Sequence, residues 1–255
     1  MFDVAAMGEL LIDFTPAGLS KAGQRLYEQN PGGAPANVLT AITRLGKTGA
    51  FIGMAGNDQF GVFLREVLEK NKINSAGLKV CKEVPTTLAF VHLGADGDRS
   101  FSFYRNPGAD RMISQDDLDS SIIQNCRIFH FGSLSLTDEP ARSSTYAAVK
   151  MAKASGSIVS YDPNYRPLLW PSQAEAVREM GNVLESVDIV KVSEEELELL
   201  TGTDDLSKGS ALLCDKGISV VLVTLGAEGS FYRYRGGSGK IPGFKVYNIN
   251  CNPHC

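Results

Sequence analysis

Short apolar runs alternate with longer, helically spaced segments along most of the chain. Residues 4–12 (VAAMGELLI), 50–56 (AFIGMAG), 127–135 (RIFHFGSLS), 157–164 (SIVSYDPN), 188–193 (DIVKVS) and 219–227 (SVVLVTLGA) read as strands buried on both faces. Residues 34–46, 58–72, 140–156 and 173–187 repeat apolar positions at helical spacing. That order predicts an α/β fold with a mostly parallel central sheet, because parallel neighbours need crossover connections that helices supply. One region departs from it. Residues 86–105 (TTLAFVHLGADGDRSFSFYR) place two β-rich arms around Asp96-Gly97, a dipeptide that favours a hairpin turn.

Composition and charge narrow the function classes without changing this outline. The 255 residues are 43% apolar and 21% charged, an ordinary globular balance with enough chain for a sizeable core. With no internal repeat or Pro/Gly linker, the expectation is one domain over residues 1–255. The formal charge of −4, with no basic run, gives no electrostatic reason to bind nucleic acid or anionic lipid. No apolar run approaches the roughly 20 residues that span a bilayer, and the start lacks the basic flank of a secretory signal. A cytoplasmic protein without membrane partners is expected. Cys81, Cys126 and Cys214 are scattered, which suggests buried thiols more than a disulfide framework.

The candidate chemistry gathers where strands end and helices begin, the usual ligand position in such folds. Asn30-Pro31-Gly32-Gly33-Ala34-Pro35-Ala36-Asn37 either brings backbone close to a ligand, with Asn37 one turn inside the helix, or is a tight turn that starts it. Thr224-Leu225-Gly226-Ala227-Glu228-Gly229 is either a phosphate-holding loop or a strand-to-strand turn. Gly236-Gly237-Ser238-Gly239-Lys240 imitates a P-loop, but its first glycine would fall at Tyr234 and Ile241 replaces the Ser or Thr after the lysine, so it reads as a surface loop. Ser193 to Glu196 fits a helix capping box, yet it follows a strand carrying Lys191 and so stands at a ligand-facing edge. Arg166, held between prolines, suits a phosphate or hydroxyl, and equally a solvated loop. Asp13, at the end of the first strand, suits sugar hydroxyls, though turn aspartates are common. His92 and His130 lie in apolar strands and read as packed.

Taken in order, GELLIDF, NPGGAPANV, FYRNPGAD, DPNYRP, KVSEEELELLTG and VTLGAEGS resemble the ribokinase-like (PfkB-type) carbohydrate kinases, and within them the bacterial fructokinases, over residues 2–246. The resemblance implies a three-layer α/β sandwich with a small β lid formed near residues 15–30 and 86–106. It implies transfer of the ATP γ-phosphoryl group, with Mg²⁺, to a fructose hydroxyl; the alternatives are another sugar or a sugar acid such as 2-keto-3-deoxygluconate. Asp13, Gly32, Gly33, Asn37, Tyr104, Arg105 and Arg166 would bind the sugar. Asn164, Lys191, Glu196, Thr224, Gly226 and Gly229 would lie on the nucleotide side, with Glu196 reaching Mg²⁺ through water. A homodimer through the lid is also implied. Ser193 departs from the Asn that is frequent at that position of the metal-linked motif.

A larger departure follows residue 246. The family continues there into Gly-Ala-Gly-Asp, whose amides stabilise the transferring group and whose aspartate is the general base, and that motif occurs nowhere in these 255 residues. The expectation is therefore a sequence whose C-terminal part of the family fold is missing, with a catalytically silent sugar-binding protein as the second reading. A third takes Cys251, His254 and Cys255 as a small metal site with an incomplete ligand count.

Overall fold

The computed structural model describes residues 1–93 and 99–245. The apolar run at 4–12 is divided rather than continuous. β1 (Phe2–Met7) ends at Gly8, whose φ of 153° and close fit against the Pro35 ring turn the chain, and β2 (Leu11–Leu19) then enters a different sheet. β3 (Arg25–Gly32) returns antiparallel to β2 and leads into α1 (Ala34–Arg44). There follow β4 (Gly49–Gly56), α2 (Gln59–Lys70), β5 (Ile73–Cys81), β6 (Leu88–Leu93), β7 (Arg99–Tyr104) and α3 (Ser120–Gln124). The alternation continues with β8 (Cys126–Gly132), α4 (Ala141–Ala154), β9 (Ile158–Asp162), α5 (Gln173–Asn182), β10 (Ile189–Ser193), α6 (Glu194–Thr201), α7 (Leu206–Asp215) and β11 (Val220–Thr224). It closes with β12 (Gly229–Tyr234) and β13 (Gly237–Pro242).

The main sheet has the order β13-β12-β11-β10-β9-β8-β1-β4-β5. Every neighbouring pair from β11 to β5 is parallel, and β12 and β13 are antiparallel additions at one edge. The expected fold class, a mostly parallel α/β sheet, is the one found. The P-loop-like segment at 236–240 differs from its expectation. It lies mostly in β13, where main-chain pairing with β12 overrides the weak strand preference of its glycines.

Two cores flank the sheet. On one face Phe129, Phe131, Tyr161, Val190, Val192, Val221 and Val223 pack with Ala148, Met180, Leu197 and Leu213 of the later helices. On the other, Val4, Ala6 and Phe51 pack with Leu39 of α1 and Leu64 and Leu68 of α2. This second face is covered unevenly. Over β9–β13 its residues Ile158, Leu222, Tyr234 and Ile241 stay exposed, and no helix among the described residues lies on them.

A second sheet, β3-β2-β6-β7, stands at one end of the first. It joins the two segments expected to form a lid, and β6 pairs antiparallel with β7 as the hairpin pattern predicts. The Asp96-Gly97 turn itself falls outside the described residues. Phe14, Phe90 and Tyr104 form an aromatic row on one face of this sheet, at 4.9 and 5.5 Å between successive ring centres, and Phe14 meets Phe60 of α2 edge-on. That row seats the small sheet on the main body.

Candidate active site

The chain ends of β1, β8, β9, β10 and β11 all open on one edge of the main sheet, because these strands run parallel. The small sheet stands over the same edge. Asp13 lies on β2 where that strand leaves the core, directly opposite Asn30 in the β2–β3 register. Burial pushes its carboxyl up to about 6, and the positive charge of Arg166 acts in the opposite direction. The side chains of Asp13 and Arg166, 153 positions apart, therefore share one electrostatic site. Gly32 is beside them: a methyl group there would strike the Asp13 carboxylate, so glycine is what lets the carboxylate lie against the loop.

Gly33 carries the loop into α1 with a φ of 118°, in a region that side-chain-bearing residues seldom adopt. It has no side chain to cap the helix, and Glu9 supplies the acceptor from the β1–β2 turn instead. Glu9 is buried, and its Oε1 accepts the Ala34 N–H at 2.7 Å. Asn37 is exposed one turn further along α1, its N–H donating to the Gly33 carbonyl at 3.0 Å.

The register of the small sheet decides which of its side chains can join Asp13. Ile12, Leu88 and Tyr104 are paired across β2, β6 and β7, as are Asp13, Ala89 and Phe103. Paired residues share a face, so Phe103 stands on the face of Asp13 and Tyr104 on the opposite one. Tyr104 is 65% exposed there and packs edge-on against Phe90. Arg105 also differs from its expected placement. It is buried, with Nε donating to Asp110 Oδ2 at 2.7 Å and its two terminal nitrogens donating to Thr137 Oγ1 and the Leu134 carbonyl, each at 2.9 Å. These contacts make it an anchor for the β7 arm.

The second wall begins after β9. Asp162 Oδ1 accepts the Asn164 N–H at 3.1 Å, and Asn164 adopts a left-handed φ of 45°. Lys191, from the middle of β10, places Nζ 3.1 Å from Asp162 Oδ2. Ser193 and Glu196 form the predicted capping box at the start of α6. Glu196 is buried, with Oε2 accepting the Ser193 N–H and Oε1 accepting the Tyr165 N–H, both at 2.7 Å. Its carboxylate thereby ties the Asp162–Pro167 loop to α6. Asn164, Tyr165, Arg166, Lys191, Ser193 and Glu196 line a cavity of about 820 Å³.

Thr224 ends β11 beside Val192, and Gly226–Glu228 form one turn that leads straight into antiparallel β12. The segment is a strand-to-strand turn, with Gly226 and Gly229 at positive φ, and it lies at the same edge of the sheet as the β10–α6 junction. His130 is buried beside Ser160, and burial lowers its pKa to about 4, with Lys191 adding to the effect. It is a packed neutral imidazole, as the apolar strand suggests.

Among the described residues, no group of three or more His, Cys, Asp or Glu side chains is placed to hold a metal ion, and no helix is long and apolar enough to cross a membrane. Cys251, His254 and Cys255 lie outside the described residues. Two site features were not legible in the motifs: Glu9, whose only signal is a single acid inside an apolar run, and Phe103, which only the strand register distinguishes from Tyr104.

Comparison with known proteins gives this arrangement a context. A family profile described as pfkB family carbohydrate kinase matches residues 1–250. Fructokinase-1 of Zea mays is 44% identical over 250 residues, covering 97% of this chain and 77% of the relative. Among solved structures, fructokinase with bound ATP from Xylella fastidiosa has a TM-score of 0.84 at 35% identity, covering 95% of this chain and 78% of that one. Fructokinase from Vibrio cholerae O395 in a form with fructose, ADP and calcium ion has a TM-score of 0.86 at 34% identity, covering 97% and 79% respectively.

Proposed function

The chain belongs to the pfkB family of carbohydrate kinases, and from that footing we propose that it binds fructose and ATP side by side and passes the γ-phosphoryl group to a fructose hydroxyl. The observation that carries the proposal is the double position of Arg166. It lines the 820 Å³ cavity with Asn164, Lys191 and Glu196, and its charge acts on Asp13. A sugar held at Asp13 and a phosphate chain held in the cavity would meet at this guanidinium.

On the sugar side, Asp13 offers a carboxylate to two hydroxyls, and the Gly32–Gly33 backbone allows close approach. Asn37 supplies a donor and an acceptor from α1, and Phe103 rather than Tyr104 provides the lid contact. On the nucleotide side, Lys191 and the Thr224–Gly229 turn face the phosphates, and Asn164 is fixed by Asp162. Transfer of this kind depends on positioning and charge stabilisation, and a sheet closing over the sugar excludes competing water.

Mg²⁺ bound to ATP would neutralise charge on the phosphate oxygens. The donors here fit such an ion. Both Glu196 oxygens already accept backbone N–H groups, which leaves their remaining lone pairs for a water of the hydrated ion. Mg²⁺ characteristically keeps several waters and needs only one or two carboxylates beside the phosphates.

A cytoplasmic location, where ATP is available, and a homodimer through the small sheet belong to the same proposal. β3 and β7 are its edges, and Leu19 and Leu26 are exposed near its tip. Sedimentation at micromolar concentration should show a dimer, and a monomer at all concentrations would remove that part.

Calorimetry with fructose and with ATP–Mg²⁺ tests the two halves of the site separately, and fructose-dependent formation of ADP tests transfer. Saturable binding of both ligands is expected. Absence of fructose binding, or negligible use of fructose beside good use of 2-keto-3-deoxygluconate, would overturn the assignment.

A further inference from the structure

The start of α1 takes its cap from 25 positions upstream, and the contact is more extensive than one hydrogen bond. Glu9 is 3% exposed, its Oε1 holds the Ala34 N–H, and its Oε2 is buried with no hydrogen-bond partner. A side chain on Gly33 would run into the Glu9 carbonyl oxygen, and one on Gly8 would meet the Pro35 ring at 2.7 Å. Two consecutive residues of the β1–β2 turn thus clamp Gly33 and the first two residues of α1, next to the Gly32 that lies against Asp13. The helix itself contributes no acid in its first turn and no side-chain cap. Burial pushes the Glu9 carboxyl up to about 7; the Ala34 N–H opposes that shift, Asp110 adds to it and Arg105 opposes it, so the base of the β7 arm acts on the same carboxyl.

We propose that Glu9 is a positioning residue for the sugar: its carboxyl pins the Ala34 N–H and thereby holds Gly32 and Gly33 in register with Asp13. The inference deepens the proposed function and rests on it. An ordinary helix cap would stabilise α1 and leave ligand selectivity untouched. A positioning role instead predicts a defect confined to the sugar, and one that a neutral acceptor of the same shape repairs. Glutamine at position 9 keeps an oxygen for Ala34, whereas alanine removes it.

The test compares the wild-type chain with Glu9→Ala and Glu9→Gln in fructose and ATP–Mg²⁺ calorimetry. Glu9→Ala should weaken fructose about tenfold or more, the loss expected for a buried hydrogen bond to a carboxyl group, while ATP affinity stays within about twofold. Glu9→Gln should recover fructose affinity to within about threefold of wild type. Unchanged fructose binding in Glu9→Ala, equal losses for both ligands, or a Gln variant no better than the Ala variant would each overturn the proposal. If the alanine variant does not fold, Glu9→Asp, one methylene too short for the same bond, replaces it. Should the wild-type chain bind no fructose, the functional assignment fails, and hydrogen exchange at the Ala34 amide decides this inference separately. Exchange about tenfold faster in the Ala variant and restored in the Gln variant, against unchanged α4 amides, supports the pin; no difference at Ala34 refutes it.

Discussion

Arg105 and Asp110 form a buried ion pair, 2.7 Å apart, with side-chain exposures of 5% and 1%. Thr87 donates its hydroxyl to the other Asp110 oxygen, so the pair joins the β7 arm to the segment that precedes β6. Removing one member strands a charge away from water. Asp110→Ala should therefore lower unfolding stability by about 3–5 kcal/mol, read from urea denaturation. A loss below about 1 kcal/mol would mean that Arg105 finds other partners.

Asp13 illustrates a conflict between stability and binding. Its folded-state pKa of about 6 lies above the ordinary 3.8, so its stabilising contribution is full below pH 3.8 and disappears as pH rises through 6. At pH 8 the ionised group costs at most about 3 kcal/mol. Asp13→Asn should raise the urea midpoint at pH 8, with little gain at pH 3.5, and weaken fructose about tenfold or more. A variant that gains no stability at pH 8 would show that the carboxylate is better solvated than its burial suggests.

Gly33→Ala tests the loop from the backbone side. The φ of 118° and the nearby Glu9 carbonyl leave no room for a methyl group. A cost of about 1–3 kcal/mol is expected, together with weaker fructose binding and near-normal ATP binding. Calorimetry and denaturation on the same preparation separate the two effects.

Phe103 and Tyr104 are adjacent but stand on opposite faces of the small sheet. Phe103→Ala should weaken fructose severalfold, through loss of apolar contact. Tyr104→Ala should leave affinity within about twofold and loosen only the packing on Phe90. The reverse result would place the sugar on the aromatic-row face and exclude the Asp13 site.

Much of the main sheet was legible because its strands are short apolar runs; β4 is buried on both faces as expected, whereas β9 to β11 are buried on one face only and differ from that expectation on the other, where no helix covers them among the described residues. Where an apolar run crossed from one sheet to another, the pattern gave no warning. Residues 4–12 look uniform, yet Gly8 divides them by its packing on Pro35, a contact 27 positions away. β5 was missed because polar Asn74, Ser75 and Lys79 interrupt its alternation. Within the candidate site, the motifs picked out Arg166, Lys191 and Glu196, which line one cavity, and Asp13, on which the charge of Arg166 acts. They did not reveal that Arg105 is committed to Asp110, because burial of a charged residue follows from partners distant in sequence.

β2 has a consequence that reaches beyond binding. Its nine residues pass from the buried pair Leu11 and Ile12, through Asp13, to Leu19 at the exposed end of the small sheet. From Asp13 to Leu19 is about 20 Å of strand. The carboxylate thus sits near the fulcrum of a lever of which only the far tip, Ala17 to Leu19, is in solvent. A tilt of the tip by a few ångströms would move Asp13 by only a fraction of that distance, which would leave the site tolerant of displacement at the exposed end of the small sheet.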